Sequence, residues 1–211
     1  MKNGVSSPDT PFLLEARGDR TMNTGNKNIQ FLQPEQCCLY VVDPQERLMA
    51  HIHEKSRVIK SICLMIRMAQ TFSMPVITNT QYRKGIGPFV PEVGELLQDF
   101  PCPDKLEFNG LDNPDVRKLF EALPDSVDTI LLCGVETHIC IYQSAIGAMR
   151  AGFKSWIVAD AVSSRNPVND RLGLQRLRDL GAVPAPAEMI IYELLRKAGT
   201  EYFKVLLPYL K

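Results

Sequence analysis

Three side chains, far apart along the chain, have the types from which an activated-thiol site is built: the carboxylate of Asp43, the ammonium of Lys105 and the thiol of Cys140. A carboxylate raised in pKa by partial burial can take a proton from a thiol, a neighbouring ammonium holds the charge that results, and a thiolate attacks carbonyl-type carbon. Each residue also has a plainer reading. Asp43, in VVDPQ, suits the start of a helix, where Asp before Pro is common. Lys105, in PCPDKLEFNG, resembles any surface lysine, and Lys84, in the Gly/Pro-rich loop QYRKGIGPFVPE, is a rival for the cationic role. A free cysteine is most often a small core residue. Cys140 differs from that norm by its place, after an apolar run and the turn GVETH and before a helix with Ile141, Ala145, Ala148 and Met149 on one face. A thiol in a first helical turn feels the positive end of the macrodipole, which predicts a lowered pKa.

The elements that must position these residues alternate in type. CCLYVVD is a continuous apolar run of the kind that forms a strand buried on both faces. SRVIKSICLMIRMAQTF follows with Val58, Ile62, Met65, Ile66 and Ala69 at helical spacing, and PVITNT is the next short strand. VPEVGELLQDF and NPDVRKLFEAL have helical periods behind prolines, the second with Val116, Leu119, Phe120 and Leu123 as its apolar set. VDTILLCG and KSWIVADAV are two further buried strands that flank the Cys140 helix. The remainder reads as a helix, a short strand or turn at residues 182–184, and one or two terminal helices. This alternation implies right-handed crossovers and an α/β fold, a three-layer α/β/α sandwich of Rossmann-like type with a mainly parallel central sheet. In such sheets ligands sit beyond the carboxyl ends of the strands, where Asp43, Lys105 and Cys140 all fall.

A chain of 211 residues fits one domain, and residues 1–33, rich in Asn, Gly, Thr and Ser, read as a partly irregular arm ahead of a single folded domain over 34–211. With 24 basic and 24 acidic residues there is no electrostatic footprint for nucleic acid or an acidic membrane, which leaves a small-molecule partner. No stretch has the form of a signal peptide or membrane anchor, and the six cysteines show no CxxC or zinc spacing, so a reducing, cytoplasmic setting is expected. His51 and His53 form an HxH pair without matching partners; a packing or solvated role is expected in preference to a metal site, and no metal or cofactor is expected.

The segment GVETHICIYQSAIGAMRAGFKSWIVADAVSS resembles the signature of the isochorismatase-like, or cysteine hydrolase, superfamily, in the type carried by isochorismatase domain-containing proteins. VVDPQ, NTQYRKGIGPFVPEV and DKLEFNG stand in that family's order, and the resemblance spans about Cys37 to Leu195. It implies a catalytic triad of Asp43, Lys105 and Cys140, preferring Lys105 to Lys84. It also implies a cis peptide between Val135 and Glu136 and an oxyanion hole from the amides of Glu136 and Cys140. Tyr82, Phe89, Phe108 and His138 are candidate pocket walls, and assembly as a homo-oligomer, dimer or tetramer, follows from the same resemblance. The family's nicotinamidases hold an Asp/His metal cluster, which TNTQYRKG lacks, and its true isochorismatases lack the nucleophilic cysteine. The expected activity is therefore metal-independent hydrolysis of a small amide, ureide or related C–N bond. The alternatives are an idle family member kept as a protein-interaction scaffold, and a redox-reactive thiol protein, for which Cys133 on the preceding strand is the nearest second thiol in sequence.

Overall fold

Consecutive residues of the first strand face opposite ways, and both faces are apolar, so the strand must be covered by helices on both sides. The computed structural model, which describes residues 30–210, shows this directly. In β1 (Cys37–Val42), Cys37, Leu39 and Val41 enter one core, while Cys38, Tyr40 and Val42 enter the other. The arm expected over residues 1–33 lies outside the described residues as far as residue 29.

The elements run α1 (Glu46–Met49), α2 (Lys55–Thr71), β2 (Val76–Gln81), α3 (Arg83–Ile86), α4 (Pro91–Leu97), β3 (Asp104–Lys105), α5 (Pro114–Glu121), β4 (Thr129–Val135), α6 (Tyr142–Arg150), β5 (Lys154–Ser163), α7 (Pro167–Asp179), β6 (Val183–Ala185), α8 (Ala187–Leu195) and α9 (Glu201–Leu206). The strands form one sheet in the order β3-β2-β1-β4-β5-β6, and every pairing is parallel. One core lies under α2, α4, α8 and α9, through residues such as Val58, Ile62, Val93, Ile190 and Leu206; the other lies under α5, α6 and α7, through Val116, Phe120, Ala145 and Leu177. The fold is a three-layer α/β/α sandwich.

The order explains the layering. The chain winds outward from β1 to β3 with α2 and α4 on one face, returns through α5 to β4 beside β1, and then winds the other way with α6 and α7 on the opposite face. Right-handed crossovers in two directions necessarily fill two faces. The reversal lies between β1 and β4, whose outgoing connections pass to opposite faces of the sheet, the arrangement that leaves a crevice beyond the carboxyl ends. Among the described residues no helix is long and apolar enough to cross a membrane.

Candidate active site

At that crevice the chain leaves β1 through Asp43 and leaves β4 through Val135. Asp43 has φ of 53°, a left-handed conformation that Asp tolerates better than most residues. Gly134 allows the two strand ends to close on each other: it has φ of 120°, and a Cβ there would lie 1.9 Å from the carbonyl oxygen of Val42. Only glycine combines that φ with that approach. The Val135–Glu136 peptide bond is cis.

Lys105 reaches the same point from β3. Its Nζ donates to Asp43 Oδ2 at 2.8 Å and to Gln81 Oε1 at 2.6 Å, and both charged side chains are sealed from water. Lys84, in α3, is exposed, so of the two rival lysines only Lys105 meets the carboxylate. The Asp43 carboxylate also acts on the Cys140 thiol, and the two groups influence each other's proton affinity. Lys105 and Cys140, 62 and 97 positions from Asp43, thus both act on one carboxylate.

The sequence places Cys140 in the first turn of an α-helix. It sits instead in a π-helical turn, Thr137–Ile141, that precedes α6. Glu136 starts this turn, its carbonyl accepting from the amides of Ile139 and Ile141, while its carboxylate accepts from the Arg165 backbone at 2.8 Å and from Arg165 Nε.

The lowered thiol pKa expected from the helix start does not hold. Burial pushes the Cys140 thiol up from its ordinary value, and the Asp43 charge adds to this, with Lys105 only partly opposing them. A dipole effect of about 1 kcal/mol is smaller than the cost of burying a thiolate. Burial also raises the Asp43 pKa, against the pull of the Lys105 charge and of donors from Lys105, Cys140 and Asn79. The resting state is a neutral thiol beside a carboxylate–ammonium pair. One proton lies between two groups of raised proton affinity, and moving it from sulfur to Asp43 leaves the site neutral overall.

Several residues of this site are absent from the reading of the sequence. Asn79 Nδ2 donates to Asp43 Oδ1 at 2.5 Å, and Tyr40 donates its hydroxyl to Asn79 Oδ1 at 2.6 Å. Gln81 Nε2 donates to Leu106 O, which turns its Oε1 toward Lys105. Gln45 ties the ends of β1 and β2 together, donating to Gln81 O and accepting from Gln81 N. The signal was present in VITNTQ: β2 is an interior strand, yet Thr78, Asn79, Thr80 and Gln81 are polar and buried. Buried polar residues in an interior strand require partners, and so mark a site.

The candidate wall residues are dispersed. Phe89 lines a cavity of about 310 Å³ with Thr80, Arg83 and Cys102, and His138 lines another, of about 220 Å³, with Tyr142, Asn169 and Arg176. His138 Nδ1 lies 2.8 Å from Ser164 Oγ. Tyr82 and Phe108 are largely solvent-exposed. His51 and His53 are exposed in the turn between α1 and α2, and no three of His, Cys, Asp and Glu are placed to hold a metal ion among the described residues.

The Isochorismatase domain model matches residues 37–189 of this chain. The chain belongs to the isochorismatase family. It is 34% identical to isochorismatase domain-containing protein 2 of Xenopus laevis, over 79% of each chain. It is 32% identical to the secreted isochorismatase effector Isc1 of Phytophthora sojae, over 87% of this chain and 88% of that one. Among solved structures it resembles YcaC from Pseudomonas aeruginosa with hexane-2,5-diol and covalent acrylamide, with a TM-score of 0.79 and 25% identity over 85% of this chain and 91% of that one. By family, the protein is an isochorismatase-like hydrolase.

Proposed function

We propose that the protein is a metal-independent cysteine hydrolase of a small amide, ureide or related C–N bond, with Asp43, Lys105 and Cys140 as its catalytic residues. The observation that carries this reading is the Lys105–Asp43 ion pair at 2.8 Å, wholly buried, whose carboxylate also acts on the Cys140 thiol. A buried ion pair is a poor way to stabilise a fold, since well-packed apolar residues commonly do as well or better. A nucleophile beside it gives the pair a purpose.

In this reading substrate binding excludes the remaining water, and the Cys140 proton passes to Asp43 as sulfur bonds to the carbonyl carbon. The Lys105 charge balances the anion at either stage. The amides of Glu136 and Cys140 receive the developing oxyanion. As the C–N bond breaks, the proton held by Asp43 moves to the leaving nitrogen, and ammonia or an amine departs from a thioester. Water then gives its proton to Asp43 and its hydroxyl to the acyl carbon, releasing the acid and restoring the thiol. No cofactor takes part. The acrylamide held covalently by the Pseudomonas relative is compatible with this, acrylamide being an electrophile that adds to thiolates. The six unpaired cysteines support a reducing, cytoplasmic setting. Exposed Leu106 and Phe108, at 69% and 52%, support a homo-oligomer.

Ammonia release from a panel of small amides and ureides tests the reading. The wild type turns over at least one of them, and Cys140→Ser and Asp43→Asn lose about a hundredfold or more. Turnover that survives in Cys140→Ser, or cleavage of isochorismate by that variant, overturns it. An intact thiol with no turnover points to a scaffold, and sulfenate formation without hydrolysis points to a redox protein.

A further inference from the structure

The buried polar groups behind Asp43 are aligned in one direction. The Gly110 amide donates to Ser144 Oγ at 3.0 Å, the Ser144 hydroxyl and the Tyr40 hydroxyl both lie against Gly110 and Ser144 lowers the Tyr40 pKa, Tyr40 donates to Asn79 Oδ1 at 2.6 Å, and Asn79 Nδ2 donates to Asp43 Oδ1. Each hydroxyl has a single hydrogen. Tyr40 commits its own to Asn79, so toward Ser144 it can only accept. Ser144 is then left as the acceptor for Gly110. Asn79 cannot turn its amide over without setting its oxygen against the Asp43 carboxylate. The alignment is also sterically enforced: a Cβ on Gly110 would lie 1.8 Å from the Tyr40 oxygen, so only glycine lets the turn after β3 close over it.

Ser144 lies one helical turn after Cys140, so the chain joins the helix that follows the nucleophile to the carboxylate that shares its proton. We infer that Ser144, Tyr40 and Asn79 are positioning residues, a one-way chain of donors that holds Asp43 Oδ1 as an acceptor and directs proton exchange toward Cys140. The inference rests on the cysteine-hydrolase reading above. Successive donors polarise one another and strengthen the last bond of the series. With Asn79 on Oδ1 and Lys105 on Oδ2, both partners being obligate donors, each carboxylate oxygen already holds a donor beside the one offered by Cys140. The other ionisable groups that act on Asp43 or its partner are Tyr40 on β1, Cys102 before β3, and Glu136, which faces Cys140. Burial keeps Tyr40 protonated, and so a donor, throughout the working range.

The test is the pH dependence of Cys140 alkylation by iodoacetamide in the full-length protein, resolved by peptide mass, for the wild type, Tyr40→Phe, Ser144→Ala and Asp43→Asn. Loss of a donor to a carboxylate raises its proton affinity, so the acidic limb moves up by about half a unit or more in Tyr40→Phe, and less in Ser144→Ala. A purely structural role would lower the melting temperature and scale the rate at every pH, leaving the midpoint in place. An unmoved midpoint in both variants overturns the inference. If Tyr40→Phe does not fold, Ser144→Ala decides by the same midpoint. If Asp43→Asn leaves the acidic limb where it was, Asp43 is not the group that titrates, and the reading of the site fails with it.

Discussion

Lys105 and Asp43 depend on each other in a way that single substitutions expose. Lys105→Met leaves a buried carboxylate without its countercharge and is expected to destabilise the fold by about 3–5 kcal/mol in urea denaturation, while Asp43→Asn with Lys105→Met recovers most of the loss. The sign with pH follows from the Asp43 pKa, which burial raises above its ordinary 3.8. A raised value stabilises the fold below the unfolded pKa, and this contribution is lost as pH rises through the folded one. Removing the Lys105 charge raises the folded value further, so Lys105→Met loses stability over a wider span toward neutral pH than the wild type. Equal stability of the single and double variants would show that the pair is not coupled. The residues themselves offered Asp43, Cys140 and two lysines, Lys84 and Lys105, as candidates, because these chemically distinctive groups stood at the ends of apolar runs or in the connections after them; only the family resemblance preferred Lys105. Asn79, Tyr40 and Ser144 were not legible, since each acts only through a neighbour that the fold supplies. The state of the Cys140 thiol was misread because helix position was legible and depth of burial was not.

At the scale of elements, β1 and β4 carry Cys37, Cys38 and Cys133 into the cores, and Cys140 follows β4. Burial raises all four thiols, Cys37 from an ordinary 9.0 to about 12. In the unfolded chain they ionise near the ordinary value, so stability held below about pH 9 is lost as pH rises toward 12, by up to about 1.4 kcal/mol per unit for each thiol. The melting temperature is expected to fall steeply above pH 9, and Cys38→Ala with Cys133→Ala to shallow that fall, relative to each protein's own value at neutral pH. A slope unaffected by the substitutions would contradict this. Gly134→Ala tests the contact between strand ends: with a Cβ 1.9 Å from Val42 O and φ of 120°, the variant is expected to lose several kcal/mol or fail to fold. A variant as stable as the wild type would contradict it. The long strands were legible from continuous apolar runs and the helices from their period. The two-residue β3 was read only as a connection, because its pairing through Thr80 and Gln81 is invisible until the sheet is formed. The π-helical turn at Cys140 has no period to reveal it.

For the whole molecule, topology makes the site. Asp43, Lys105 and Cys140 leave β1, end β3 and follow β4, and only the reversal of winding between β1 and β4 brings these ends to one crevice. The α/β class was legible from alternation; the order of strands, and hence the crevice, follows from crossover handedness and packing that no local segment encodes. Light scattering on the purified chain is expected to give a dimer or tetramer, and a monomer at all concentrations would contradict that assembly. In the proposed function Asp43, Lys105 and Cys140 form one unit in which Lys105 supports the thiolate and Asp43 takes up its proton. The rate of Cys140 alkylation at neutral pH, resolved by peptide mass, tests it with one substitution at each partner of the thiol. Lys105→Met, which removes the charge that holds the anion, and Asp43→Asn, which removes the acceptor of the thiol proton, are each expected to slow the reaction by about tenfold or more. Alkylation at the wild-type rate in both variants would contradict the account.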